Sequence, residues 1–392
     1  MIDINSALRG QRDYLISLRR DFHRYPELGL QEFRTARRIE EELDRFGIAH
    51  KRVGETGVLG ILHGEGKGDR VIALRADIDA LPIQETNEVE YCSQTVGVMH
   101  ACGHDAHTTC LLGAAKILAE NRSHFGGEVR LIFQPAEEIG KGAKPFVEAG
   151  VLNGADRVFG LHTAPEVPAG IVGLKPGLNN ASVDHFKITI HGKSSHVSMP
   201  QLGVDALYIA SQLVVALQAL VTRRTSPVEP VIIGVGKLNA GTTYNALAES
   251  AVLEGTTRTV THETRRQIQE QVTKTAQSVA DMYGGDAELE WADFAAPLIN
   301  DSQACQEAAE VVERLWGSGR VMTDRALSLS GDNFAEYLLH VPGAYAYLGS
   351  GNSNLPGTLH PGHNGNFDID EETLLLGAGL YAGYAAARLG AL

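Results

Sequence analysis

An interruption constrains this chain most. From about residue 50 to residue 181, strands alternate with helices, the pattern of an α/β domain. "GVLGILHGEG" and "RVIALRADIDALPI" read as strands, and "TTCLLGAAKILAE" as a helix. "GEVRLIFQPAEE" is a strand with a polar tip, and "RVFGLHTA" a short strand ending in a histidine. Residues 1 to about 50 read as helix. Near residue 182 the order changes. "VDHFKITIHG" is a strand, "GVDALYIASQLVVALQALVTRR" a long helix, and "PVIIGVGKLNAG" and "ESAVLEGTTRTV" are strands. The helix "HETRRQIQEQVTKTAQSVADMYG" and the strand "DAELEWADF" complete a βαββαβ block, the ferredoxin-like plan. After about residue 294 the earlier mixture resumes. The expected fold is a discontinuous α/β domain, residues 1–181 and 295–392, holding an inserted α+β domain, residues 182–294. At 392 residues, two cores are expected rather than one.

Composition removes several classes of function. A net charge of −14 argues against a nucleic-acid surface, which needs clustered Lys and Arg. No stretch is expected to supply the roughly 20 apolar residues of a membrane span. The polar N-terminus "MIDINSALRGQRDYLISLRRDFHRYPEL" lacks the apolar segment of a signal peptide, so the expected compartment is the cytoplasm. The four cysteines form no CxxC pair. Cys102 stands apart because His104 lies two positions on.

Sheets of this type place their sites where strands end, and there the polar residues collect. "MHACGHDAHTT" carries His100, His104 and His107 at i, i+4, i+7, a spacing a helix would put on one face. Gly103 instead favours a bend, which could aim Cys102 and His104 at one point. Thiolate and imidazole are good ligands for zinc-like ions, while a reactive cysteine and a purely structural segment are the competing readings. In "FQPAEE", Glu137 and Glu138 repel unless a cation is near. One can bind metal while the other moves a proton, and a solvated surface pair is the bland reading. His162 in "GLHTA" reads alone as a core histidine. "LHPGHNGNF" adds His360 and His363.

Taken in order, "DFHRYPELGLQEFRTA", "LRADIDALPIQE", "MHACGHDAHTT", "FQPAEE", "GLHTAPEVPAG", "GKSSHVSMPQLGVDAL" and "PGHNGNFDIDEE" resemble the M20 metallopeptidase family over nearly the whole chain. The likeness is to its amidohydrolase branch of hippurate hydrolases, N-acyl-amino-acid amidohydrolases and auxin-conjugate hydrolases. The resemblance implies a zinc-peptidase-like catalytic domain and a ferredoxin-like lid or dimerisation domain. It implies two divalent ions per subunit, Mn²⁺ or Zn²⁺ with Co²⁺ or Ni²⁺ as alternatives. Cys102, His104, Glu138, His162 and His363 would be the ligands, with Cys102 as bridge. Glu137 would be the general base. His196, in "SSHVSMP", would polarise the scissile carbonyl. Asn245 and Arg258 would hold the substrate carboxylate. Asp77 and Asp79 would stand behind the metal and orient its ligands. The implied substrate is a small N-acyl or N-aroyl amino acid, hydrolysed at its amide by a homodimer or homotetramer. A dipeptidase, a hydrolase of another C–N bond and a metal-binding protein without activity are the alternatives. Two stretches depart from the family. "NALAE" lacks the proline of an Asn-Val-Ile-Pro segment, and Gly331-Asp332-Asn333-Phe334 stands where Ser-Glu-Asp-Phe is common.

Overall fold

A computed structural model describes residues 1–392. The chain forms two compact units. Met1–Asn179, Ile299–Ala326 and Asn333–Leu392 make the first; Asn180–Leu298 and Leu327–Asp332 make the second. The second unit is longer than the segment 182–294 and takes in residues 327–332. A backbone bond explains the addition: Ala181 N–H donates to Ser328 O at 2.9 Å.

The strands are β1 (Ala49–Val53), β2 (Gly57–His63), β3 (Val71–Asp77), β4 (Glu128–Gln134), β5 (Arg157–Pro168), β6 (Val172–Gly173) and β7 (Gly177–Asn180). There follow β8 (Val183–His191), β9 (Val231–Ala240), β10 (Ser250–Thr259), β11 (Asp286–Ala295), β12 (Leu298–Asn300), β13 (Val321–Met322) and β14 (Gly343–Gly351).

The first unit is built on a sheet of order β1-β2-β4-β3-β5-β14-β6-β13. Its centre, β4-β3-β5-β14, is parallel, and the β1-β2 edge is antiparallel. Strand β14 is buried along its whole length and β3 along nearly all of it. Burial on both faces is what a parallel sheet under helices requires. The helix His104–Glu120 is mostly apolar after Thr109 and buried on nearly all sides, with Lys116 and Glu120 paired at its exposed edge. The N-terminal region is three helices, Ile4–Arg9, Arg12–Arg24 and Phe33–Arg45, rather than one. Pro26 ends the second, because the residue before a proline avoids the helical region. Strand β1 escapes sequence reading, since "AHKRV" is an edge strand with one fully buried residue. Strand β5 continues to Pro168, so His162 lies mid-strand and not at a strand end.

The second unit is an antiparallel sheet of order β11-β8-β10-β9 with the helices Ala206–Ala219 and His262–Met282. This is the ferredoxin-like arrangement. Period-two burial in β8 sends Phe186, Ile188 and Ile190 into a core with Leu213, Leu217, Leu253 and Val272. Each such side chain contributes about 1.5–3 kcal/mol on burial. One correction to the composition argument arises here. The helical run Ala206–Arg224 is long and apolar enough to cross a membrane by length and composition. Its buried stripe, Ala206, Ile209, Ala210, Leu213 and Leu217, is the part that fills this unit's core.

Candidate metal centre

Gly103 sets the geometry of the "CGH" segment. Its φ is +90°, and it stands immediately before the helix His104–Glu120. A Cβ there would lie 2.2 Å from Thr163 Oγ1. Only glycine accommodates both the left-handed backbone and the close approach. The chain therefore bends between Cys102 and His104, and the helical spacing of His100 with the other two histidines does not arise.

Side-chain partners decide which nitrogens face the centre. His104 Nδ1–H donates to Asp79 O at 3.0 Å and Oδ1 at 3.2 Å. His162 Nδ1–H donates to Thr163 O at 2.7 Å. Each ring thus directs Nε2 into the centre, the arrangement of a histidine prepared as a ligand. His162 Nε2 lies 3.4 Å from Cys102 Sγ. Glu138 Oε1 is 3.7 Å from His104 Nε2, and Glu138 Oε2 is 3.4 Å from His363 Nε2. His363 adopts φ +61° and is tied down by its N–H to Ala101 O at 2.7 Å. The donor atoms of Cys102, His104 and His162 lie within 4.8 Å of one another, as do those of Cys102, Glu138 and His363. Those of His104, Glu137 and Glu138 do so as well.

These residues fit divalent ions. His104 Nε2 and Glu138 Oε1 are buried without a hydrogen-bond partner, a costly state for polar atoms unless something else meets them. Burial raises the Glu138 carboxyl to about 7, against the pull of His104. Burial and the Glu138 charge push the Cys102 thiol well above its ordinary value. Burial pushes His162 and His363 down, which keeps both rings neutral and able to donate a lone pair. A cation among them would favour the anionic thiolate and carboxylate. Cys102 is common to the first two groups, which suits a shared ligand between two ions.

Behind the donors stand polar residues that are already satisfied. Asp79 Oδ2 accepts Glu138 N–H at 3.0 Å, so one carboxylate orients both His104 and Glu138. Asp77 accepts His107 Nδ1–H at 2.6 Å, while His107 Nε2 accepts Thr163 N–H at 2.8 Å. With both nitrogens engaged, His107 supports and does not ligate. His100 touches none of these donors; it is buried with both ring nitrogens unpartnered. His360 is exposed.

Sequence reading missed the layer beneath. Arg75, wholly buried, donates to Asp77 (2.6 Å), Gln134 (2.9 Å) and Asn333 (2.9 Å). Asn333 Oδ1 also accepts from Gln134 Nε2 at 2.8 Å, and Asn333 N–H donates to Glu137 Oε1 at 3.2 Å. The departure at residue 333 thus falls on a buried acceptor. An arginine within the apolar run "VIALRA", two positions before Asp77, is the signal that could have found it.

In the second unit, His196 and Asn245 lie side by side. Val197 N–H donates to Asn245 O at 3.1 Å, and Leu247 N–H to Ser195 O at 2.8 Å. His196 Nδ1 accepts Ser198 N–H at 3.1 Å, so its proton sits on Nε2 as an outward donor. Asn245 Oδ1 accepts Thr243 Oγ1–H at 3.0 Å, leaving the amide NH₂ to donate. Ala248, at the missing proline, is anchored through its carbonyl by Ala206 N–H at 2.9 Å, a bond a proline could also accept. Arg258 lies on β10 with no carboxylate within ion-pair distance, and burial lowers its pKa.

Comparison with known proteins agrees with this architecture. A Bacillus subtilis N-acetyl-L-cysteine deacetylase is 41% identical over 376 residues, 96% of this chain and 88% of the relative. Thermostable carboxypeptidase 1 of Saccharolobus solfataricus is 36% identical over 380 residues, 96% of this chain and 95% of the relative. A solved Bacillus subtilis structure, described as a dinuclear metal binding peptidase from the M20 family, superposes with a TM-score of 0.82 at 35% identity. It covers 98% of this chain and 100% of its own. Residues 73–387 match the model of peptidase family M20/M25/M40, and the chain belongs to that family.

Proposed function

We propose that the protein is a metal-dependent amidohydrolase that cleaves N-acyl amino acids to a carboxylic acid and a free amino acid. The observation that carries this reading is the donor set Cys102, His104, Glu138, His162 and His363, with a second carboxylate, Glu137, beside it. Pure metal storage has no use for Glu137. Two divalent ions, Mn²⁺ or Zn²⁺, would be held by those five residues with Cys102 shared, and would supply Lewis acidity. Glu137 takes the proton of the attacking water and returns it to the departing amine. His196 donates from Nε2 to the oxygen of the scissile carbonyl. Asn245 and Arg258 bind the free carboxylate, a task that suits the planar guanidinium.

Substrate choice follows from that last pair. A deacetylase of an N-acetyl amino acid and a carboxypeptidase share one product, an amino acid released from an amide. The carboxylate next to the scissile bond is the shared recognition element, so dipeptides are the second reading. Four free thiols support a reducing compartment, the cytoplasm. Exposed Leu207, Tyr208 and Val215 on one helix support a homodimer or homotetramer. The test is amino-acid release from paired substrates, N-acetyl amino acids and dipeptides, each with a free or amidated carboxylate. At least a hundredfold preference for the free carboxylate, lost in Arg258→Ala, is expected. Equal cleavage of both members of each pair would remove Arg258 and Asn245 from this role.

A further inference from the structure

The N-terminal stretch "YPELGLQE" supplies no metal ligand, yet it packs around the turn that bears the base. Glu32, wholly buried at the head of the helix Phe33–Arg45, accepts Ala136 N–H on Oε1 at 2.9 Å. Ala136 has φ +53°, a left-handed conformation that a residue with a Cβ avoids. Gly29 belongs to the same arrangement: a Cβ there would lie 3.2 Å from Ala136 Cα. The stretch thus withholds a side chain at one point and supplies a carboxylate at the next.

The turn makes two successive carboxylates diverge. Glu138 faces His104 and His363, while Glu137 Oε1 meets the N–H of Asn333. Strained backbone at a site persists only where its surroundings over-determine it. The bond from Ala136 N–H to the buried Glu32 carboxyl is costly to lose, because an unsatisfied buried donor would remain. We infer that Glu32 is a positioning residue, holding Ala136 in the left-handed turn and so fixing the direction of the Glu137 carboxylate. This rests on Glu137 being the base.

The test uses the metal-loaded full chain, with kcat, KM, metal per subunit and circular dichroism measured for each variant on an N-acetyl amino acid. Glu32→Met should lower kcat at least tenfold, with KM within twofold and metal content unchanged. Glu32→Gln, which keeps an acceptor, should stay within threefold of the parent. Ala136→Gly, which makes the left-handed turn cheap, should recover at least threefold in the Glu32→Met background. Unchanged kcat in Glu32→Met overturns the inference. So does a loss explained by KM or by missing metal, or a double variant no faster than Glu32→Met. Should Glu32→Met not fold, Glu32→Asp carries the test: it withdraws the acceptor by one methylene, and full kcat there overturns the inference. Glu137→Ala separates the two claims. Turnover surviving in it refutes the base and the positioning together; an inert Glu137→Ala beside an unaffected Glu32→Met refutes the positioning alone.

Discussion

Replacing Arg19 by Met should be among the most damaging single changes in the first unit. Arg19 is fully buried and joins two segments that carry donor histidines. Its Nε lies 2.8 Å from Asp105 Oδ2, next to His104 at the start of the helix. Its Nη2 lies 2.9 Å from Asp368 Oδ1, in the loop that follows His363. Methionine fills much of the volume and leaves Asp105 and Asp368 without their guanidinium, while Glu371, 3.6 Å from Arg19, keeps Arg20. His23 Nδ1, 2.7 Å from Asp105 Oδ2, and Tyr91 O–H, which donates to Asp368 Oδ2 at 2.7 Å, remain, but neither replaces the fixed charge of the guanidinium. Breaking a buried pair by removing one partner costs about 3–5 kcal/mol. With a urea slope of about 3 kcal/mol/M, the midpoint should fall by about 1–1.7 M. The two tryptophans, Trp291 and Trp316, lie one in each unit. Trp291→Phe therefore gives a background in which fluorescence follows the first unit, in metal-stripped protein. Asp105→Asn and the double variant close a thermodynamic cycle, and the coupling should exceed about 1.5 kcal/mol. A shift of Arg19→Met below about 0.3 M, or additive single changes, would refute the clamp.

Gly103→Ala should lower metal affinity about 10–100-fold, because its Cβ drives Thr163 and the bend apart; a titration with a competing chelator that finds parental affinity contradicts this. Cys102→Ala should bind less than one ion per subunit and His363→Ala one, as the proposed bridging thiol requires; equal stoichiometry in elemental analysis would end the bridging role. Burial would raise Asp368, but Arg19 outweighs it and holds the carboxyl below its ordinary value. The stability it contributes is complete above about pH 4 and is lost as pH falls through its folded value. The destabilisation by Asp368→Asn should therefore shrink between pH 5 and pH 3 in urea titrations, and growth over that range would contradict it.

What was legible in the sequence has a common physical cause, and so has what was not. The βαββαβ order was readable because burial in β8 alternates with period two and the helices carry one apolar stripe. The bend at Gly103 was readable because glycine between two polar residues has few other uses. Asp79 could be placed near the centre, but not its double task of holding His104 and Glu138, which depends on residues 25 and 59 positions away meeting in space. Arg75 and Glu32 escaped for the same reason, as did the partners of Asn333. Gln134, Ala136 and Glu137 lie far from them in sequence, and periodicity reports only which face is inward. The short strand read to end at His162 instead continues to Pro168, where its backbone pairs along β14. The i, i+4, i+7 spacing of His100, His104 and His107 does not act, because the helix begins only at His104.

The most direct test of the central claim is one experiment on Glu137. Parent and Glu137→Ala proteins are stripped, reloaded separately with Mn²⁺ and Zn²⁺, and compared for bound metal and for amino acid released from an N-acetyl amino acid. Two ions per subunit in both proteins, with metal-dependent release in the parent and a loss of at least a thousandfold in Glu137→Ala, are predicted. Release that survives in Glu137→Ala, or a parent that binds both ions and releases nothing from any N-acyl amino acid or dipeptide, would contradict it.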